Sequence, residues 1–291
     1  MLKYEIVKRM KTLRESLLDD DLVEKTDKYI KDEIEKFLKA NYNGTIKISQ
    51  KPNADGKYEV SSNSVVEVIN KNITSLTNGI FIWTTVDGSF SVIDCISLKS
   101  LEGAPEKVGG DFDCSYCNSL ESLKGAPKEV KGFYCVDCRS LKTLKGAPEK
   151  VRGNFFCYSC IYLTSLEGAP KEVGGYFSCV SCHSLTSLEG APRIINRGFR
   201  CSMCNSLKTL DGAPKKVGGG FDCSMCESLT SLEGAPKEIG GSFDCSYCKS
   251  LTLLDGAPKK VGRNFSCDKC ASQFTIEDVK KISNVKGKIK Y

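Results

Sequence analysis

The sequence predicts an α+β repeat protein: a β-solenoid of 22-residue rungs behind an N-terminal α-helical hairpin and a small β segment. Three observations predict it. The tripeptide Gly-Ala-Pro recurs with its proline at Pro105, Pro127, Pro148, Pro170, Pro192, Pro214, Pro236 and Pro258, so eight of the nine prolines are one repeated feature. The interval is 22 residues, with a single 21 where one residue is missing between Val130 and Phe133. Each full copy reads S-L-x-S-L-E-G-A-P-K-x-V-G-G-x-F-x-C-x-x-C-x, which sets Phe and Cys two apart on one side of an extended strand, with glycine and proline corners before it. One unit cannot bury its own apolar face. Stacked units form ladders of Phe, Cys and Leu on parallel strands about 4.8 Å apart.

The elements follow in chain order. Leu2, Ile6, Met10, Leu13 and Leu17 fall at three- and four-residue steps and predict a first helix. Asp19-Asp20-Asp21 breaks it and offers an N-cap for a second, whose stripe is Tyr29, Ile30, Ile34, Phe37 and Leu38, with Gly44 as the stop. Residues 1–44 therefore read as a helical hairpin, serving as a cap or as a docking module. Residues 45–88 read as a β segment and N-terminal cap, with a β-hairpin over 45–62 around Asp55-Gly56. Val66-Glu67-Val68, then Ile73-Thr74-Ser75-Leu76, reads as a divergent rung. Phe90-Ser91-Val92-Ile93-Asp94-Cys95 reads as a degenerate one, with Val92 in place of a first cysteine. The solenoid is assigned to 89–270, with Leu120, Leu123 and their copies returning along its outer side. Residues 271–291 are assigned to a C-terminal cap: a short helix started by Thr275, then a strand at 288–291 over the open sheet edge.

Hydrophobic residues make up 40% of the chain, enough for a large core, which excludes wholesale disorder. No apolar run approaches the ~18–20 residues of a membrane span, and the start, MLKYEIVKRMKTL, lacks the apolar stretch of a signal peptide. The 17 cysteines are thus expected as free thiols in a reducing compartment. The net charge of +6 lies wholly within 101–291, because 1–44 and 45–100 each balance. No basic cluster stands out there, so neither nucleic acid nor membrane is an expected partner.

The eight C-x-x-C pairs, from Cys114/Cys117 to Cys267/Cys270, recur with 17 or 18 residues between them. That spacing suits structural zinc, with Cys114, Cys117, Cys135 and Cys138 as the first candidate ligands. The repeat offers a second explanation, small buried cysteines filling a narrow rung as Val92 does. The core ladder is the preferred reading and no cofactor is expected; zinc and thiol redox chemistry are the alternatives. His183, the only histidine, follows Cys182 outside the inward pattern, and there is no G-x-x-x-x-G-K-[ST] and no acid/base pair. The expectation is a protein that is not an enzyme.

These residues resemble a known family. V-x-x-x-F-x-C-x-x-C-x-x-L is similar to the leucine-rich repeat core L-x-x-L-x-L-x-x-N/C-x-x-L, with Phe and Cys replacing two leucines. The neighbouring L-x-G-A-P-x-x-V resembles the L-x-x-L-P-x-x-L of short leucine-rich repeats in bacterial effectors. The wording S-L-E-G-A-P-K-x-V-G-G-x-F-x-C is most similar to repeat proteins of bacteriophages. The resemblance covers roughly residues 89–291 and implies a leucine-rich-repeat-like, right-handed solenoid with a concave sheet face. The effectors' ubiquitin-ligase domain has no counterpart after the repeats. For a phage-encoded protein, the resemblance implies a location in the bacterial host cytoplasm, or in the virion, and a host or virion protein as partner.

If the core positions are fixed, recognition falls to the variable outward ones, before Phe, after Phe and after the first Cys. Three consecutive rungs place Tyr134, Val136, Phe156, Tyr158, Tyr176 and Val180 there, with Arg200 next along and acids and serines on both sides. Aromatics and Arg are what protein interfaces favour. The expected function is non-catalytic recognition of a protein partner by this face, as an inhibitor of a host factor. The alternatives are a virion structural or assembly component, with a homo-oligomer formed through residues 1–44, a zinc-binding C-x-x-C protein, and carbohydrate recognition by ring stacking.

Overall fold

The computed structural model describes residues 20–77, 79 and 81–291. The first apolar stripe, Leu2 to Leu17, lies outside the described residues. Helix α1 (Asp20–Asn41) buries Ile30, Ile34 and Leu38 and packs Tyr29 and Phe37 against the same core. Ile46–Ile48 and Tyr58–Ser62 form the antiparallel hairpin, turning where the Gly56 N–H donates to Asn53 O at 2.8 Å.

The rest of the chain is a parallel β-solenoid. The strands that begin with phenylalanine, from Phe90–Ser91 to Phe265–Ser266, belong to one twelve-stranded sheet, each Phe in register with the next. Their rings lie 5.1 to 5.8 Å apart, centroid to centroid, in a continuous buried stack. A second wall is built on the Val positions, from Glu129–Val130 to Asn284–Val285, in an eight-stranded sheet. Lys107–Val108 belongs instead to a four-stranded sheet with Ile46–Ile48, Tyr58–Ser62 and Phe81–Val86. The ladder changes partner between Val108 and Val130, beside the rung that is one residue short, while the Phe side runs through. Leu120, Leu123 and their copies are fully buried and close the third side of each rung, rather than lying on its outer side. Their spacing of three is what a corner needs to turn two side chains inward.

Two backbone devices make the corners. Gly190, in a Gly-Ala-Pro corner, has φ +87°, and a Cβ there would sit 2.5 Å from Glu167 N of the previous rung. Only glycine fits both demands. At the second corner the residue before the second cysteine is left-handed without being glycine, as in Tyr116 (φ +62°) and Met203 (φ +59°). The strain, about 1 kcal/mol each, is offset because the Met203 N–H then reaches Ser224 O of the next rung at 3.0 Å.

The ends are plugged. Tyr42–Asn43 pairs antiparallel with Val66–Val68 at the N-terminal edge. Tyr42 meets Trp83 edge-on at 5.3 Å, and Trp83 meets Phe90 at 5.5 Å, so an aromatic plug continues into the Phe stack. The Phe81–Val86 strand that carries Trp83 has no sequence expectation of its own, since its run lacks the alternation that marks a half-buried strand. At the other end α2 (Ile276–Ile282) is started by a capping box: Thr275 Oγ1 accepts from the Asp278 N–H at 3.2 Å, and the Asp278 carboxylate accepts from the Thr275 N–H at 3.0 Å. Val285 and Ile289 then take the Val and Phe positions of a last rung. Lys286, Lys288 and Lys290 line this edge, charges that discourage a further strand. Among the described residues no helix is long and apolar enough to cross a membrane.

Candidate functional site

The cysteines form two inward columns. The second cysteine of each pair donates to a carbonyl of the rung before: Cys117 to Val92 O at 3.0 Å, Cys138 to Cys114 O at 3.2 Å, Cys160 to Cys135 O at 3.0 Å, and so on to Cys270 and Cys245 O at 3.1 Å. These carbonyls lie at a bend where no strand neighbour supplies an N–H, and the thiol takes that place. Burial pushes the thiols of Cys157, Cys201, Cys223 and Cys245 well above the ordinary range, and that of Cys267 up to about 12. A thiol that keeps its proton is a poor nucleophile. A thiol reagent is therefore expected to label little beyond Cys270, the one cysteine that is not fully buried, in native protein within minutes, and all 17 in denaturant. Rapid labelling of several thiols in the folded state would refute this. Zinc at Cys114, Cys117, Cys135 and Cys138 predicts instead stoichiometric metal in purified protein, with these thiols giving up their protons.

His183 is exposed, its Nδ1 lying 3.0 Å from Met203 O. The adjacent Cys182 thiol points the other way, to Cys157 O at 3.3 Å. The two do not form a nucleophile–base pair in this arrangement.

On the outer face of the twelve-stranded sheet, register brings the aromatic positions together. Tyr134 and Phe156 are in-register neighbours whose rings meet edge-on at 5.5 Å, and Phe156 lies 6.1 Å from Tyr158. Tyr134 and Phe156 are half-buried and Tyr158 is exposed. Val136 is buried at 5% exposure, so its short side chain does not present surface to a partner. Tyr176 lies flat over Gly198, where a Cβ would come within 3.0 Å of the ring. The Arg197 and Arg200 guanidinium groups approach that ring at 5.9 and 5.7 Å. Val180 is half-buried and Arg200 exposed.

Beyond Tyr176 the face drops into a hollow of about 430 Å³. Its floor is glycine, Gly198 and Gly220 just before the strands Phe199–Arg200 and Phe221–Asp222, with Gly219 and Gly241 at the corner; Tyr176 and Arg200 stand at one end and Arg263 at the other. Asp222 and Asp244 border it as in-register neighbours. Each carboxylate is held by its own strand, Asp222 Oδ1 accepting from the Ser224 N–H and hydroxyl at 3.0 and 2.6 Å, and Asp244 Oδ1 from those of Ser246 at 2.9 and 2.6 Å. Two like charges side by side repel, and Arg200, the strand neighbour of Asp222, lies over Tyr176. Sequence reasoning missed this hollow because it is made of absent side chains. The available signal was glycine before Phe in two successive rungs, Gly198 and Gly220; glycine otherwise stands there only in the short rung, at Gly132, and the remaining rungs carry Asp, Asn, Tyr or Ser. Comparison with protein-family models, with curated proteins and with solved structures finds no match.

Proposed function

We propose that the chain is a non-catalytic recognition module that binds a protein partner through the outer face of its twelve-stranded sheet. The observation that carries this reading is the grouping of Tyr134, Phe156, Tyr158 and Tyr176, with Arg200, on consecutive rungs of an otherwise polar face. Rings held half-open by their neighbours lose little freedom on binding, and large rigid side chains with a nearby guanidinium dominate interface energetics. Val180 completes the patch. The hollow beside it, bordered by Asp222 and Asp244, suits a basic side chain of the partner. The leucine-rich-repeat-like, phage-type wording of the repeats supports a bacterial host protein as partner, met in the host cytoplasm and inhibited by occupation of its surface.

The test is affinity capture from a bacterial lysate, comparing wild type with the Tyr134→Ser/Phe156→Ser/Tyr158→Ser/Tyr176→Ser variant by mass spectrometry. An unchanged melting temperature must first show that the variant is folded. The expected result is a protein captured by wild type and weakened at least about thirtyfold in the variant, the loss of one strong hot spot. Identical captures by both proteins would overturn the assignment of this face.

A further inference from the structure

Charge on the solenoid is sorted in a way that the Phe sheet does not explain. Two outward columns flank the Gly-Ala-Pro corner, formed by the residue before the tripeptide and the residue after it. In the first three rungs both columns mix signs: Glu102, Lys124 and Lys145 in one, Glu106, Lys128 and Glu149 in the other. That mixture allows ion pairs down each column, Lys124 to Glu102 at 2.7 Å and Lys128 to Glu149 at 3.9 Å. From the fourth rung the mixing stops. One column becomes Glu167, Glu189, Asp211, Glu233 and Asp255, and the other becomes Lys171, Arg193, Lys215, Lys237 and Lys259, all exposed.

The backbone holds both columns in line. The Arg193 N–H donates to Lys171 O at 2.8 Å, that of Lys215 to Arg193 O at 3.0 Å, and that of Lys259 to Lys237 O at 2.8 Å. On the acidic side the N–H groups of Leu188, Leu210 and Leu232 donate to Asp211 O, Glu233 O and Asp255 O at 2.8, 2.9 and 3.0 Å. Like charges are thus stacked about one strand spacing apart, ~4.8 Å, an arrangement that repels. Among the described residues no ion pair answers the basic column, and on the acidic column only Glu167 has one, to Lys145 at 3.0 Å. Between the columns lie an exposed glycine, a small alanine and a buried proline, so no large side chain stands in the gap.

We propose that this surface joins two copies of the chain side by side and parallel, the acidic column of each against the basic column of the other. A two-fold axis parallel to the stack carries each column onto its opposite, and only that operation does so with the two surfaces face to face. Both columns share one rung repeat, so Glu189 meets the partner's Arg193 and the register then holds for every rung. A polyanion is disfavoured by the acidic column running beside the basic one. The surface lies apart from the aromatic patch, so the pairing stands or falls independently of the proposed function.

The test uses the full chain and reads molecular mass by light scattering. Wild type is expected to be dimeric at low salt, with a dissociation constant at least about tenfold weaker once added salt shortens the screening length below ~5 Å. Two charge-reversal variants, Glu189→Lys/Asp211→Lys/Glu233→Lys and Arg193→Glu/Lys215→Glu/Lys237→Glu, are expected to be monomers with wild-type circular dichroism. Mixed one to one, they are expected to form a heterodimer, because each reversed column then meets its opposite. A monomeric wild type at low salt would overturn the proposal, as would wild-type protein that stays monomeric while binding a polyphosphate probe. Variants that still dimerise alone, or that fail to pair when mixed, would overturn it too.

Discussion

Replacing Phe177 by Ala is expected to destabilise the solenoid by about 3–5 kcal/mol, the range for removing a fully buried ring whose site cannot collapse. Phe177 is at 0% exposure in mid-stack, with the rings of Phe155 and Phe199 at 5.1 and 5.6 Å and nearly parallel to it. Both neighbours are held in register through their own strands, so neither can move to fill the gap without breaking the ladder. The loss would appear as a lower urea midpoint at an unchanged slope. A loss below about 1 kcal/mol would mean that the stack relaxes like a liquid interior, contrary to the close packing of folded cores.

The two cysteines of one rung are expected to respond differently to the same substitution. The Cys226 thiol donates to Cys201 O at 3.2 Å. Cys226→Val removes that donor and leaves a buried acceptor, a loss of about 1–3 kcal/mol. The Cys223 thiol donates to Asp244 O at 3.4 Å, but that oxygen already accepts from the Cys223 N–H at 2.8 Å. Cys223→Val is therefore expected to lose less than about 1.5 kcal/mol, as a near-isosteric core replacement. Val92, fully buried at the equivalent position of the degenerate rung, shows that valine fits there. Equal urea midpoints for the two variants would show that the thiol hydrogen bond contributes nothing.

Much of this was legible from the chain. Gly-Ala-Pro and the Phe–Cys spacing foretold the rung, because a side chain two residues from another must share its face on a strand. Thr275 foretold a helix start, because a hydroxyl beside an unpaired N–H has one good use there. The inward turn of Leu120 and Leu123 was not legible, since a spacing of three says nothing about direction unless the corner is known. The glycine-floored hollow and the charge columns were hidden for another reason. Each is assembled from residues about 22 apart, so a basic stripe of five side chains leaves no basic run in the sequence. Arg200 and Tyr176 were readable as neighbours; that the guanidinium lies on the ring and not against Asp222 was not, because that choice is made between side chains.

The register of the Phe sheet also bears on the length of the protein. Each internal Phe strand has a like strand on either side at the same offset, so the caps sense only the rung that touches them. A duplication or loss of 22 codons within the repeats would leave every remaining contact with an equivalent neighbour. The gene is thus free to change size in whole steps, and what changes with it is the extent of the outer faces, not the manner of folding.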